Sequence, residues 1–88
     1  MYEWDEDKRR SNLAKHGVDF ALVEGFDWEH SIADEDDSAE GEPRFISIGP
    51  IGVKLYVLVW TPRGKDTVRV ISLRPATKPE RRRYEEEF

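Results

Sequence analysis

The second half of the chain contains three β-rich runs that are separated only by short turns. The runs are RFISIG at 44–49, VKLYVLVWT at 53–61 and TVRVISL at 67–73, and PIG and PRGKD connect them. Connections of this kind are typical of β-hairpins. LYVLVW is apolar on both of its alternating faces, which indicates a central strand that is covered on both sides. The second half therefore predicts an antiparallel sheet of three or four strands.

Two helices are predicted before the sheet. The first runs from Asp5, its N-cap, to about His16, and Gly17 supplies the left-handed residue that ends it. The second is short and has Asp19 as its N-cap. Its apolar residues share one face, and they are Phe20, Val23 and Phe26.

A third helix is predicted at the C-terminus. Thr77 is its N-cap, and Glu80 follows at the spacing of a capping box. The order of elements is thus a short strand or coil, two helices, the antiparallel sheet and a final helix, which is an α+β fold. A chain of 88 residues has room for one hydrophobic core, so residues 1–88 are predicted to form a single domain.

The acidic stretch SIADEDDSAEGEPR, residues 31–44, is interpreted as a solvated loop. Ile32 and Ala33 can open an edge strand, but the acids, the glycine and the proline that follow favour a loop. Asp34, Asp36 and Ser38 reproduce only part of the ligand spacing of a calcium loop. No metal site is therefore predicted.

Composition restricts the setting of the protein. The chain has no cysteine, so it has neither disulfides nor thiolate metal ligands, and it shows no signal-peptide pattern and no apolar run that could span a membrane. We expect a cytoplasmic protein without a cofactor. The net charge of −5 divides into −9 over residues 1–50 and +4 over residues 51–88. Contact with nucleic acid is thus open on one face, and the acidic half suits a basic partner.

Five motifs occur in an order that resembles one protein family. They are WDEDK, NLAKHGVDF, RFISIG, LYVLVWTPRG and VRVISLRPATKPERRRYEE, which together cover nearly the whole chain. The sequence resembles the BrnT toxins of BrnT/BrnA type II toxin–antitoxin systems. The resemblance implies a RelE-like ribonuclease fold and a BrnA antitoxin with a ribbon-helix-helix domain. It also implies that the complex of the two binds its own promoter DNA, and that the toxin alone cleaves RNA and slows translation and growth.

RNA is cleaved without a metal when its own 2′-hydroxyl attacks the adjacent phosphorus. The protein then supplies a base, an acid and positive donors for the phosphorane. The predicted catalytic residues are Arg69, Arg74, His16 and Lys15. Histidine is a common general acid or base, although a histidine at a helix end, such as His16, also has a purely structural explanation.

Arg69 lies in the last β-rich run and Arg74 directly follows it, so their relative orientation depends on the geometry of this strand. Arg69 lies among apolar neighbours on an inner strand, so it requires a carboxylate partner or a ligand. Arg69 and Arg74 occupy odd and even positions, which a regular strand places on opposite faces. A shared phosphate clamp therefore requires a bulge or a strand end near Ser72–Pro75. The alternative is that Arg69 pairs with a helix carboxylate and Arg74 caps the end of the sheet.

Further RNA-binding residues are predicted outside this run. They are Lys8, Arg63, Arg81 and Tyr84. Arg81 and Tyr84 are three apart on the last helix and share a face, and Tyr84 either stacks on a base or packs in the core. Arg63 lies near a hairpin tip, where a plain surface charge is the alternative. His30 matches no motif and is predicted to be exposed and inert.

A second hypothesis is a non-catalytic module that acts as corepressor or scaffold with its antitoxin. Pro75 motivates it, because the family often has a second basic residue at this position. Expression without the antitoxin discriminates the two hypotheses, since it is harmless only for the non-catalytic module.

Overall fold

A five-stranded sheet forms the centre of the computed structural model, which describes residues 1–36 and 41–88. The strands are β1 (Tyr2–Glu3), β2 (Ile32–Asp36), β3 (Arg44–Ile51), β4 (Lys54–Arg63) and β5 (Thr67–Pro75). The helices are α1 (Glu6–His16) and α2 (Lys78–Glu87), with two 3₁₀ helices at Phe20–Gly25 and Trp28–His30. Within these ranges, no helix has the length and apolarity needed to cross a membrane.

The α+β class is confirmed, but the predicted sheet of three or four antiparallel strands is wrong. The strand order is β1-β5-β4-β3-β2, and β1 runs parallel to β5 with Tyr2 opposite Val68. A strand of two residues carries too little pattern to be recognised from its sequence. The sheet is consequently mixed.

The prediction of a loop throughout residues 31–44 is also wrong. Strand β2 pairs antiparallel with β3, from Ile32 opposite Ile48 to Asp36 opposite Arg44. Its acids are tolerated because β2 is an outer strand of the sheet, where side chains reach water. Asp34 in addition forms an ion pair with Arg83 of α2. The calcium-loop comparison involved Ser38, which lies outside the described residues.

The first predicted helix is confirmed. Oδ1 of Asp5 accepts hydrogen bonds from the N–H groups of Asp7 and Lys8, at 2.8 and 3.4 Å, and Gly17 ends the helix at φ 69°. The second predicted helix is replaced by the two 3₁₀ helices. The segment is too short for a stable α-helix, and Phe26 ends the first 3₁₀ helix by forming a β-bridge with Ile51.

Two apolar clusters lie on opposite faces of the sheet. The cluster beneath α1 and the first 3₁₀ helix is the larger one, and its buried members are Val18, Phe20, Val23, Phe26, Leu58, Val70 and Leu73. The cluster beneath α2 contains Ile48, Val57 and Ala76, against which Tyr84 packs. Because α2 itself has no buried residue, its attachment to the sheet relies on Tyr84 and on polar contacts.

A β-bulge interrupts the pairing of β5 with β4. Ser72 lies opposite Val59, and Val70 lies opposite the next residue of β4, Trp60, so Ile71 has no partner across the ladder. The extra residue reverses the alternation of faces along β5. Val70 and Leu73, three positions apart, are consequently both buried in the larger cluster.

The bulge also brings the two candidate arginines to one face. Arg69 lies opposite Thr61 and Arg74 opposite Val57, and these two residues of β4 share the face that α2 covers. The bulge residue, Ile71, comes directly before the segment 72–75 in which an irregularity was expected. Arg69 and Arg74 are therefore on the same side of the sheet, roughly 13 Å apart along the strand.

Candidate functional site

A cavity of about 220 Å³ lies between α1 and β5. Its lining residues are Lys8, Ser11, Asn12, Lys15, His16, Ile71 and Ser72. The five residues from α1 recur at spacings of three and four, which places them on one side of that helix. Among residues 1–36 and 41–88, no acidic residue lines the cavity. Three of the residues predicted from the sequence, Lys8, Lys15 and His16, therefore meet in one place.

The basic side chains of the cavity have no carboxylate partner in the described part of the chain. Lys8, Lys15 and His16 take part in no ion pair there. Lys15 and His16 occupy the last turn of α1, where the partial negative charge of the helix end favours cations. Two ammonium groups that form no ion pair favour a positive potential in a partly enclosed space, and such a space attracts anions.

Asn12 fixes α1 against β5, and sequence reasoning missed it. Its Nδ2 donates to the carbonyl oxygen of Leu73 at 2.7 Å and to that of Val18 at 3.0 Å, and its Oδ1 accepts from the Leu73 N–H at 3.2 Å. Its side chain is buried, with 7% of the residue exposed. A sequence signal did exist, because asparagine is unfavourable within a helix unless its amide has a use there.

Arg69 is paired with a carboxylate. Its Nη1 lies 2.7 Å from Oε2 of Glu3, and Nε of Arg63 lies 4.0 Å from the same oxygen. Arg63 also approaches Oε1 of Glu42 at 3.6 Å. The sequence alternative of a paired Arg69 thus matches the contact, except that the carboxylate comes from β1 and not from a helix.

Arg74 forms a two-pronged salt bridge with Glu80. Its Nη1 and Nη2 lie 2.7 and 2.9 Å from the two carboxylate oxygens. Glu80 also accepts from the Thr77 N–H at 2.7 Å, and Thr77 Oγ1 accepts from the Glu80 N–H at 3.4 Å. The predicted capping box is confirmed. The bond to Arg74, aided by the contacts with Thr77, lowers the pKa of Glu80 from 4.5 to about 2.

The other predicted RNA contacts lie away from the cavity. Arg81 donates to the carbonyl oxygen of Ala76 at 3.0 Å and lines a separate cavity between α2 and the β3–β4 turn. The hydroxyl of Tyr84 donates to the carbonyl oxygen of His30, and its ring packs against the cluster beneath α2. Tyr84 is thus engaged in packing, as the second sequence alternative expected.

Among the described residues, one group has the side chains and proximity of metal ligands. The ligand atoms of Asp27, Glu29 and His30 lie within 4.8 Å of one another. Asp27 caps the second 3₁₀ helix by accepting from the His30 N–H at 3.3 Å, and its other oxygen lies 2.8 Å from Nδ1 of His30. Helix capping explains the contacts between Asp27 and His30, and we assign the group no metal.

Ser72 lines the cavity, and the register places it between Arg69 and Arg74 on one face of β5. That face is the one that α2 covers, whereas α1 packs on the opposite face of the sheet. The cavity therefore meets Ser72 at the outer edge of β5, and Arg69 and Arg74 do not line it. The predicted catalytic residues form two groups, with unpaired basic side chains on α1 and paired arginines on the other face of β5.

Comparison with known proteins places the chain among the ribonuclease toxins of type II toxin–antitoxin systems. A sequence model described as "ribonuclease toxin, BrnT, of type II toxin-antitoxin system" matches residues 4–80. The chain belongs to the BrnT family. It is also similar to the Brucella abortus ribonuclease toxin BrnT, whose crystal structure was determined at 1.1 Å. The two chains are 33% identical with a TM-score of 0.71, over 89% of this chain and 99% of the other. No curated protein matches the chain.

Proposed function

We propose that this protein is a metal-independent endoribonuclease toxin whose reaction takes place at the cavity between α1 and β5. The observation that supports this most is the set of three basic side chains, Lys8, Lys15 and His16, which line one cavity that no acidic side chain of the described residues enters. RNA phosphate is an anion that fits such a site. The family description supplies the substrate class.

Each group has a role in cleavage. Lys8 and Lys15 hold the scissile phosphate as point charges. His16 transfers a proton, either by accepting it from the 2′-hydroxyl or by donating it to the departing 5′-oxygen. The 2′-oxygen bonds to phosphorus as the bond from phosphorus to the 5′-oxygen breaks, leaving a 2′,3′-cyclic phosphate and a 5′-hydroxyl.

Arg69 and Arg74 lie outside the cavity lining, on the face of the sheet that α2 covers. They stabilise the phosphorane in this proposal only where RNA crosses the edge of β5 and the arginines release their carboxylates. Each guanidinium donates hydrogen bonds to a glutamate carboxylate in the structure. The same donors can bind the oxygens of a phosphate. Phosphate contacts by Arg63, Arg81 and Tyr84 are proposed from the sequence alone, since these three side chains, like Arg69 and Arg74, lie outside the cavity lining.

Neutralisation requires a partner, and a type II toxin family implies an antitoxin. We assign a BrnA-type ribbon-helix-helix antitoxin, with promoter DNA bound only through the complex. The outer strand β2 carries the exposed Glu35, which suits a basic segment of that partner. Co-purification with the product of the neighbouring reading frame tests this assignment.

Cleavage of RNA by the purified protein in EDTA tests the activity. The wild type should cut, and His16→Gln and Lys15→Gln should each lower the rate by about 10²-fold or more, the range of one proton-transfer or electrostatic contribution. Arg69→Ala and Arg74→Ala should also abolish cleavage. His30→Gln and Lys65→Gln make the same chemical changes outside the cavity lining and should have no effect.

The outcomes separate the parts of the proposal. An inactive wild type would overturn the enzyme assignment. An active wild type with unaffected His16 and Lys15 variants would show that the reaction occurs elsewhere. Unaffected Arg69 and Arg74 variants would confine the site to α1.

A non-catalytic module is the second candidate, and the salt bridges of Arg69 and Arg74 favour it. Both guanidinium groups are neutralised in the structure, which suits a scaffold that binds its antitoxin without cutting RNA. Growth of cells that express the protein without an antitoxin distinguishes the candidates, because the scaffold leaves growth unchanged.

A further inference from the structure

The outer edge of β5 is covered by different partners along its length. Among the described residues, β1 pairs only with Val68 and Arg69. The bulge residue Ile71 follows, and the next main-chain contact on this side is made at Leu73 by the side chain of Asn12. The amide of Asn12 both donates to and accepts from the main chain of one residue, as a neighbouring β-strand does.

Asparagine satisfies the hydrogen bonds of this contact, and aspartate and alanine do not. The two Nδ2 bonds end on the carbonyl oxygens of Leu73 and Val18, while Oδ1 faces the Leu73 N–H. Aspartate has the same shape, but it would place an oxygen against two carbonyl oxygens. Alanine would leave the main chain of Leu73 without this partner in a buried place.

The position of Asn12 on α1 is central to the cavity. Lys8 lies one turn before it, and Lys15 and His16 lie three and four residues after it. On an α-helix these residues are within about 6 Å of Asn12 along the axis. A rotation or a shift of α1 relative to β5 would therefore move all three basic side chains away from Ser72 together.

From these contacts we infer that Asn12 is the positioning residue of the cavity, which holds the acid–base and phosphate-binding groups of α1 in register with Ser72 on β5. Asn12 acts through the main chain of Leu73 and needs no contact with RNA. The inference rests on the proposed ribonuclease function for its kinetic consequence only. Its structural consequence can be measured without cleavage.

The kinetic test compares Asn12→Ala with wild type in RNA cleavage. We expect kcat to fall at least tenfold while KM changes less than threefold, because the lysines still attract RNA but His16 no longer meets the reacting oxygens. Ser47→Ala is the matched control, since Ser47 is also buried and polar, and its hydroxyl accepts a 2.9 Å bond from Trp60 on another part of the sheet. It should lower stability and leave kcat unchanged. An equal loss of kcat in both variants would overturn the inference.

The second test uses inorganic phosphate and NMR, and it needs no activity. In the wild type, phosphate should shift the amide signals of Lys15, His16 and Ser72 with one common affinity. In Asn12→Ala the shifts at Lys15 and His16 should remain, and the shift at Ser72 should be lost. Retention of all three shifts would contradict the inference. An inactive wild type that still shows this pattern would overturn the ribonuclease proposal and leave the role of Asn12 standing.

Two further measurements apply if Asn12→Ala fails to fold. Asn12→Gln keeps the amide but lengthens the side chain by one methylene group. In this variant, too, phosphate should shift the amide signals of Lys15 and His16 and should not shift that of Ser72. In the wild type itself, the amide hydrogen of Leu73 should exchange with solvent as slowly as that of its neighbour across the ladder, Leu58. Rapid exchange at Leu73 would show that Asn12 does not hold this edge.

Discussion

Replacing Glu80 by glutamine should destabilise the protein through the attachment of α2 to the sheet. The substitution keeps the shape of the side chain and removes the charge that faces Arg74 at 2.7 and 2.9 Å. It also weakens the bond from the Thr77 N–H, which Glu80 accepts at 2.7 Å. No buried apolar side chain of α2 compensates, because α2 has none.

The pKa of Glu80 gives the size of the effect. A decrease from 4.5 to about 2 corresponds to a ceiling of about 3 kcal/mol. A quarter of the Glu80 side chain is exposed, so solvent screening reduces the expected loss to about 1–2 kcal/mol. For a chain of this size, this loss lowers the midpoint of thermal unfolding by roughly 5–10 °C.

The pH dependence identifies the cause of the loss. The folded-state pKa of Glu80 lies below its ordinary value, so the stabilisation is complete above pH 4.5 and disappears as the pH falls from 4.5 towards 2. The free energies of unfolding of wild type and Glu80→Gln should therefore differ at neutral pH and converge over this range.

Urea unfolding, followed by tryptophan fluorescence across the pH range, measures both quantities. Glu86→Gln is the matched control, because it makes the same change on α2 at a residue without an ion pair in the described part of the chain. A difference between wild type and Glu80→Gln that persists unchanged at pH 2 would refute the electrostatic explanation. Equal losses in both variants would refute the specific role of Arg74.

Three other outcomes follow from the structure. Gly49→Ala should destabilise the protein by about 1–3 kcal/mol in thermal unfolding, since a Cβ there would lie 2.8 Å from the Phe26 ring; an unchanged midpoint would disprove the close packing. Lys15→Gln should make the dependence of the binding constant for single-stranded RNA on salt concentration shallower, by about 0.7 in a double-logarithmic plot. Lys65→Gln should leave this slope unchanged, and equal slopes for the two variants would show that Lys15 does not contact phosphate. Arg83→Gln should lower the unfolding midpoint less than the Glu80 substitution does, because Arg83 and its partner are nearly half exposed. A larger decrease would show that this ion pair is the main attachment of α2.

The sequence predicted the elements that are determined by local chemistry. Asp5, Gly17 and Thr77 mark the ends of α1 and the start of α2 because their hydrogen bonds and backbone angles involve residues close in sequence. The three β-rich runs became β3, β4 and β5 because their connections are short. The mixed sheet was not predictable in this way, since β1 pairs with a strand more than sixty residues later.

The candidate site was predictable in its residue types and not in its arrangement. Lys15 and His16 were found from their motif, but the cavity depends on the tertiary contact that Asn12 makes with Leu73. The face shared by Arg69 and Arg74 depends on one unpaired residue, Ile71. The carboxylate partners of these arginines come from β1 and α2, and no local pattern specifies such pairs.

Charge is distributed unevenly across the width of the sheet. The cavity with its basic residues lies beside β5, whereas the acidic strand β2 is three strands away, at a distance of roughly 14 Å. The charges of Glu3 beside β5 and of Arg44 and Arg83 beside β2 oppose this separation in part. The basic cavity is nevertheless the part of this surface that attracts a polyanion. We therefore expect the rate of encounter with RNA, and not only the strength of binding, to depend on ionic strength.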